Sequence, residues 1–277
     1  MKKIIRTVSK LPLLLIAAVV LLPIIYTSAN SFMSVREITR YYTETKINMP
    51  FHIIPDSFSL SGYYGVLFRR PDFLITFWNS MLLTVTIVLG QLIMASMASY
   101  AFTFFSFKLR NLIFFIVIVL MMMPYQVTLV SNYIVLDRLN LVGSYPSVII
   151  PGIFSAFGVF LLRMVMESVP FEMVEAAKID GARNFMILSR IVLPNCKAGV
   201  VSLIVLSFID NWNMVEQPLV YLKDSSMYPL SIFLTEMSGK GYALRFAGGV
   251  IAMIPVLLLF FFFEDDLVKG ISATNLN

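Results

Sequence analysis

The residues that most often perform chemistry are scarce in this sequence: His52 and Cys196 are its one histidine and its one cysteine. A single cysteine excludes an internal disulfide. With no second histidine or cysteine nearby, a zinc or facial-triad site is not expected. A hydrolytic triad would have to use His52, and the sequence contains no Gly-x-Ser-x-Gly nucleophile elbow. We therefore predict no catalytic residues and no bound metal, and a membrane-embedded enzyme is the least favoured function.

The sequence also lacks an obvious means of energising transport by itself. It has no G-x-x-x-x-G-K-[ST] loop, since Ser238-Gly-Lys-Gly-Tyr242 does not have that spacing. Ion-coupled transporters usually place ionisable residues within their membrane spans. Here only Asp210 lies near the middle of a long apolar stretch. We expect the energy to come from another chain, with an ion-coupled secondary carrier as the alternative.

The segment between residues 167 and 194 has the pattern of two short helices joined by a turn. Glu172 is favourable near the positive end of a first helix, whose centre contains the strong helix formers Ala176 and Ala177. Gly181 supplies the left-handed residue that ends such a helix. Asn184 is expected to cap the second helix, which the proline at 194 closes.

Two functions fit this helical segment on physical grounds. Its small-residue centre and flanking charges would let it fill a groove on another protein. It could equally be an amphipathic helix that lies on the lipid surface.

Polar side chains within the apolar stretches are candidates for a solute path. An uncharged sugar is held by amide hydrogen bonds and aromatic stacking, which the cluster Asn211-Trp212-Asn213 offers. Asn79 and Gln126 are further candidates for the path. The alternative is that such residues bond neighbouring helices to each other.

The composition of the chain predicts that the helical segment and the polar side chains described above belong to a membrane protein. The 277 residues are 58% hydrophobic and only 13% charged, far from the composition of a soluble domain. A soluble globule, a disordered chain and a nucleic-acid-binding domain are excluded, and the net charge of +5 is attributed to membrane orientation. Runs of about 20 apolar residues predict six transmembrane helices in an all-α protein, at residues 11–35, 73–107, 111–136, 139–162, 198–222 and 246–263.

The first apolar run follows four cations, at Lys2, Lys3, Arg6 and Lys10. It is longer than the hydrophobic part of a typical signal peptide, so we predict an uncleaved span. Inner segments hold slightly more Lys and Arg than outer ones if the amino terminus is cytoplasmic. The basic amino terminus is the stronger indication, and we predict that both termini are cytoplasmic.

The predicted organisation has three parts. Residues 1–70 form the first span and an ordered outer loop, residues 71–266 form the transport domain, and residues 267–277 form a cytoplasmic tail. Residues 168–197 are a cytoplasmic loop within the transport domain.

The cytoplasmic loop resembles the EAA loop of ABC importer permeases. The matching residues are Glu175-Ala176-Ala177, Gly181 four residues later, and Ile191-x-Leu193-Pro194. Further matches follow the chain from residue 71 to 271: Asn79-Ser80, residues 98–102 (Ala-Ser-Tyr-Ala-Phe), residues 123–127 (Met-Pro-Tyr-Gln-Val), residues 160–163 (Phe-Leu-Leu-Arg), Phe208-x-x-x-Trp212-Asn213, Pro218-Leu219 and residues 267–270 (Leu-Val-Lys-Gly). Together they resemble the maltose-permease-like members of the carbohydrate-uptake group. The sequence departs from that group at Ala198, at Ser131-Asn132 and in the acidic run at 264–266.

The resemblance implies a type I ABC importer permease fold in the inner or plasma membrane of a prokaryote. It implies four kinds of partner: a second permease subunit in a heterodimer, a cytoplasmic ATPase dimer that binds ATP and Mg²⁺, an extracytoplasmic solute-binding protein, and lipid. It also implies a sugar or oligosaccharide as solute, with a non-sugar solute as the alternative. The residues expected to couple ATPase motion to alternating access are Glu175, Ala176, Ala177, Asp180, Gly181, Ala182, Leu193 and Pro194.

Overall fold

The computed structural model describes residues 11–43, 52, 54–237 and 241–274. Within these ranges the chain is helical, and its only extended pairing is an isolated bridge between Met33 and Phe58. The predicted all-α class is therefore confirmed. The four amino-terminal cations, Lys240 and the last three residues of the predicted tail lie outside the described residues.

Fifteen α-helices lie within the described residues. They are α1 (Leu11–Asn30), α2 (Val35–Ile38), α3 (Ser61–Phe68), α4 (Pro71–Phe104), α5 (Arg110–Met121), α6 (Tyr125–Arg138), α7 (Pro146–Ile153), α8 (Ala156–Met166), α9 (Phe171–Ile179), α10 (Asn184–Ile187), α11 (Leu193–Asn195), α12 (Lys197–Trp212), α13 (Glu216–Tyr221), α14 (Leu230–Glu236) and α15 (Tyr242–Thr274). Short π-helical turns occupy Thr39–Thr43 and Leu188–Val192, and a 3₁₀ turn occupies Ser225–Met227.

Three helical segments are long and apolar enough to cross a membrane, namely Pro71–Phe104, Pro146–Met166 and Tyr242–Leu267. Two bent pairs of helices, α5 with α6 and the α10–α11 segment with α12, bring the number to five if each pair counts as one span. The apolar helix α1 corresponds to the first predicted span. The predicted number of six is reached only when α1 and both bent pairs are counted.

The third predicted span is not one straight helix. Its two halves, α5 and α6, meet at an angle of 103°. Pro124 stands immediately before α6 with an extended backbone, φ −59° and ψ 134°. Proline has no N–H to continue the helix and disfavours helical backbone in the residue before it, so the helix ends at Met121 and restarts in a new direction.

The chain groups into two compact units. The first unit contains the described residues up to Phe77 together with Ile232–Ile254. Its core contains the buried side chains of Met33, Ile38 and Ala243, against which Tyr42, Tyr242 and Phe246 pack. The outer loop predicted to be ordered supplies part of this core through α2.

The second unit contains Trp78–Ser231 and the described residues from Pro255 onward. Within it, α4 lies against α7 at positions where side chains are small. A Cβ added at Gly90 would lie only 2.4 Å from Cγ1 of Ile153, and the side chain of Gln91 donates a hydrogen bond of 2.7 Å to the carbonyl of Gly152. Small residues and buried amide bonds of this kind hold membrane helices together.

We expect Gly90→Ala to destabilise the protein by about 1–3 kcal/mol, because the added methyl group must displace most of the Ile153 side chain. Gly249→Ala is the matched control, since its Cβ would meet Thr27 at an ordinary 3.6 Å. Alanine otherwise favours a helix over glycine, so the control should be neutral or stabilising. Thermal unfolding of the purified protein measures both, and equal unfolding temperatures for the two variants would contradict this packing.

Candidate coupling segment and solute cavity

The first helix of the predicted cytoplasmic loop is α9. It follows Pro170 and ends at Asp180, after which Gly181 adopts φ +80°. The N–H of Ala182 donates to the carbonyl of Ala177, and that of Gly181 to the carbonyl of Lys178, both at 3.0 Å. This is a Schellman turn, which requires the left-handed conformation that glycine adopts without strain. The predicted role of Gly181 as the helix stop is confirmed.

The second helix differs from the prediction. Arg183, with an extended backbone, occupies the capping position, and Asn184 is already the first helical residue without a side-chain cap. The predicted cap at Asn184 is wrong. Pro194 lies within the last helical turn, and the chain ends that turn at Cys196 and bends by 86° into α12.

One face of α9 is buried in the second unit. Val174 and Ala177 join a core with Ile187 and Val192 of the following segment. The same core includes residues near the ends of α4 and α8, namely Tyr100, Phe104, Leu162 and Met166. Because this apolar face contacts protein, it is not available to lie on lipid.

The outward surface of the segment combines charge with exposed apolar side chains. Glu175, Ala176, Asp180 and Gly181 are exposed. Ile179 is 87% exposed and Phe185 is 72% exposed. Exposed apolar residues with charged neighbours are typical of a surface that binds a protein or a membrane. The other predicted coupling residues are less accessible or lie apart: Ala177 is buried, Ala182 and Leu193 are half-buried, and Pro194 is exposed.

Charged contacts lie at both ends of the segment. Nε of Arg163, near the end of α8, lies 3.1 Å from Glu167, and its guanidinium stacks 3.6 Å from the ring centre of Phe114 in α5. Lys197, at the start of α12, pairs with Asp266 of α15 at 2.9 Å. The acidic run at 264–266 thus supplies a direct partner for the helix that follows the segment.

A cavity of about 200 Å³ lies in the second unit beside the break between α5 and α6. Its polar lining is uncharged: Tyr125, Thr128, Asn132, Asn211, Gln217 and Tyr221. The hydroxyl groups of Tyr125 and Tyr221 are 2.8 Å apart. A second cavity of about 550 Å³ shares Tyr125, Asn211 and Gln217 and adds Asp210, Asn213 and Glu216. These amides, hydroxyls and rings can bind a polyhydroxylated solute.

The structure brings together only part of the predicted path. Asn211 lines both cavities and Asn213 lines the second. Gln126 donates to the carboxylate of Glu216 at 3.0 and 3.1 Å, at the edge of this region.

Asn79 and Trp212 take structural positions instead. Asn79 donates to the carbonyls of Ser226 and Tyr228 and accepts from the hydroxyl of Tyr145, so its amide fastens a loop. Trp212 is 5% exposed and stacks on Phe208, with ring centroids 5.6 Å apart. Neither side chain lines the two cavities described above.

Sequence reasoning missed Tyr125, Gln217 and Tyr221. Tyr125 directly follows Pro124, and the mid-span proline was the available signal that polar side chains could face a cavity there. Gln217 and Tyr221 lie in α13, which the prediction treated as the continuation of a span.

Comparisons with known proteins agree with this architecture. The family model described as binding-protein-dependent transport system inner membrane component matches residues 91–272. The chain is 29% identical over 222 residues to the arabinooligosaccharides transport system permease protein AraQ of Halalkalibacterium halodurans, covering 79% of this chain and 80% of the relative. It is 27% identical over 278 residues to the sn-glycerol-3-phosphate transport system permease protein UgpE of Brucella abortus, covering 96% of each.

Two solved structures share the fold. A chain of a bacterial ABC transporter involved in the import of the acidic polysaccharide alginate superposes with a TM-score of 0.82 at 23% identity, covering 95% of this chain and 96% of the other. A chain of the bacterial alginate ABC transporter in complex with alginate pentasaccharide-bound periplasmic protein gives a TM-score of 0.64 at 17% identity, covering 94% of each. Since the family model spans more than half of the sequence and its members are transport components of the inner membrane, this chain belongs to the binding-protein-dependent transport system inner membrane component family.

Proposed function

We propose that this chain is one of two permease subunits of an importer for a neutral sugar or oligosaccharide. ATP and Mg²⁺ bind to a separate cytoplasmic ATPase dimer, and a solute-binding protein delivers the solute from the other side. The observation that carries the sugar assignment is the uncharged lining of the cavity beside Tyr125 and Asn211.

The coupling segment, residues 168–197, is proposed to receive the motion of the ATPase. Glu175, Ala176 and Ile179 offer an outward surface to the partner, while Val174 and Ala177 anchor the helix in the core. Because that core includes the ends of α4 and α8, a displacement of α9 moves those helices with it. Interfaces packed in this way switch between discrete arrangements, which supports alternating access.

The chemistry of the cavities also bears on alternative solutes. UgpE covers nearly the whole chain, which favours a phosphorylated polyol as the second candidate. Recognition of a phosphate normally uses Arg or Lys. Among the described residues that line the two cavities none is Arg or Lys, and Asp210 and Glu216 add negative charge. The neutral sugar is therefore the better proposal. Family membership likewise favours an ATP-driven importer over an ion-coupled carrier that uses Asp210.

We expect Glu175→Lys to abolish uptake and solute-stimulated ATP hydrolysis while the chain still inserts and assembles, because the exposed carboxylate lies on the proposed docking surface. Gly181→Asp should act similarly, since a residue other than glycine is strained at φ +80°. Glu236→Lys, an exposed charge reversal in α14, is the control and should transport normally. Normal uptake by Glu175→Lys would disprove the assignment of the segment.

The proposed orientation places both termini and the coupling segment in the cytoplasm and residues 34–72 outside. Ser57 and Ser189 are exposed in the two regions, and the native Cys196 is buried. A membrane-impermeant thiol reagent should label Ser57→Cys in intact cells and Ser189→Cys only after lysis. The reverse pattern would overturn the orientation.

Asn211 and Trp212 should respond differently to truncation. Asn211→Ala removes a cavity amide and should weaken uptake about fivefold with assembly intact, since a hydrogen bond is worth about 1 kcal/mol. Trp212→Ala empties a buried site, costs about 3–5 kcal/mol and should lower the amount of assembled importer. Uptake normalised to assembled protein separates the two effects.

An uptake competition assay tests the solute class. It is carried out with the unaltered importer and with the importer that carries Asn211→Ala. Oligosaccharides should compete with the transported solute. Strong inhibition by sn-glycerol 3-phosphate or a peptide, without inhibition by sugars, would refute the sugar assignment and leave the permease assignment in place.

A further inference from the structure

Three ionisable side chains of the first unit meet beside α2, outside the transport machinery described above. Nε2 of His52 lies 3.7 Å from Oε1 of Glu37 and 3.5 Å from Oδ1 of Asp56. One potential ligand atom from each of the three side chains lies within 4.8 Å of the others. The sequence predicts no metal site here, because no second histidine or cysteine lies near His52. The fold instead brings two carboxylates to His52.

Two buried polar atoms of the cluster lack a hydrogen-bond partner among the described residues. The side chain of Glu37 is only 4% exposed. Its Oε1 accepts a hydrogen bond of 2.6 Å from the N–H of Asp56. Among the described residues, neither Oε2 of Glu37 nor Nε2 of His52 has a hydrogen-bond partner. A buried polar atom of this kind is costly unless something binds it.

The spacing of the three side chains fits a small divalent cation. Zn²⁺ binds histidine nitrogen and carboxylate oxygen at about 2.0–2.2 Å, which in a tetrahedron separates neighbouring ligand atoms by about 3.4 Å. The separations of 3.5 and 3.7 Å around His52 are close to that value. Two carboxylates also balance the charge of the ion.

A fourth residue holds two of these side chains in place. The hydroxyl of Tyr41 donates to Oδ2 of Asp56 at 2.9 Å, which leaves Oδ1 directed at His52. The Tyr41 ring stacks on the imidazole, with centroids 4.2 Å apart and an angle of 18°. Support of this kind around ligands orients them for metal binding.

We propose that Glu37, His52 and Asp56 bind one Zn²⁺ ion, with water in the fourth position. The ion would fasten α2 to the segment around residues 52–56. This role is structural, and it does not depend on which solute the importer carries.

The competing explanation is an ion pair without metal, in which a protonated His52 contacts both carboxylates. The two explanations predict different responses to a chelator. Metal binding requires a neutral imidazole and is lost on chelation. The ion pair is insensitive to chelators.

The test uses the whole importer, purified without its solute-binding protein, stripped with a chelator and dialysed against buffered Zn²⁺. Elemental analysis counts zinc per complex, and thermal unfolding is followed with and without Zn²⁺. The unaltered protein should retain one zinc more than Glu37→Gln or His52→Ala, and Zn²⁺ should raise its unfolding temperature but not theirs. Asp72→Asn, which changes an exposed carboxylate in the first turn of α4, is the matched control and should behave as the unaltered protein.

Asp56→Asn is a second variant for the case that Glu37→Gln or His52→Ala fails to fold. Asp56 is 57% exposed, so we expect it to tolerate a neutral replacement of the same size. It should assemble normally and bind Zn²⁺ at least tenfold more weakly. Equal zinc content in the unaltered protein and in Asp56→Asn would overturn the proposal. The proposal would also be overturned if neither Zn²⁺ nor the chelator changed the unfolding temperature of the unaltered protein. That result would support the ion pair without metal.

Discussion

Hydrocarbon offers no hydrogen bonds, so every peptide group within a membrane span must be bonded inside the protein. That requirement makes the chain helical, and it restricts where the backbone can be interrupted. At the break before Tyr125 these backbone hydrogen bonds are made within the chain, because the N–H groups of Met122 and Met123 still donate to the carbonyls of Val119 and Leu120. The redirected helix then turns polar side chains toward a cavity, where irregular backbone is tolerated.

The bend at Cys196 is the second interruption, and it serves a different purpose. There the chain leaves the coupling segment and enters α12 at 86°. Val192, before the bend, and Cys196, at the bend, are buried in the same core as Val174 and Ala177 of α9. The helix that ends at the cavity residue Asn211 thus begins at the base of the coupling segment, which links the two regions through one rigid element.

Sequence patterns predicted the features that depend on local chemistry. Apolar runs located the long helices, and Gly181 gave the end of α9, because each depends on residues adjacent in the chain. The direction of a side chain depends on its neighbours in space. Trp212 was expected to face a solute because it lies between two asparagines, but Phe208 one helical turn earlier holds its ring in the interior. The approach of His52 to Glu37 was likewise invisible, since 15 residues separate them. The proposed coupling residues come from the family resemblance, because composition and periodicity could not identify them.

The exposed side chains of Ile179 and Phe185 have a consequence for how this chain exists in a cell. The proposed ATPase partner would cover them and bind the folded segment but not the unfolded one, so by mass action it would stabilise the fold, with a gain that rises with the logarithm of its concentration. The segment is therefore at its least stable when it is alone. Synthesis of this chain without its partner would leave an apolar surface open to aggregation and proteolysis, which makes balanced production of the subunits a physical requirement of the fold.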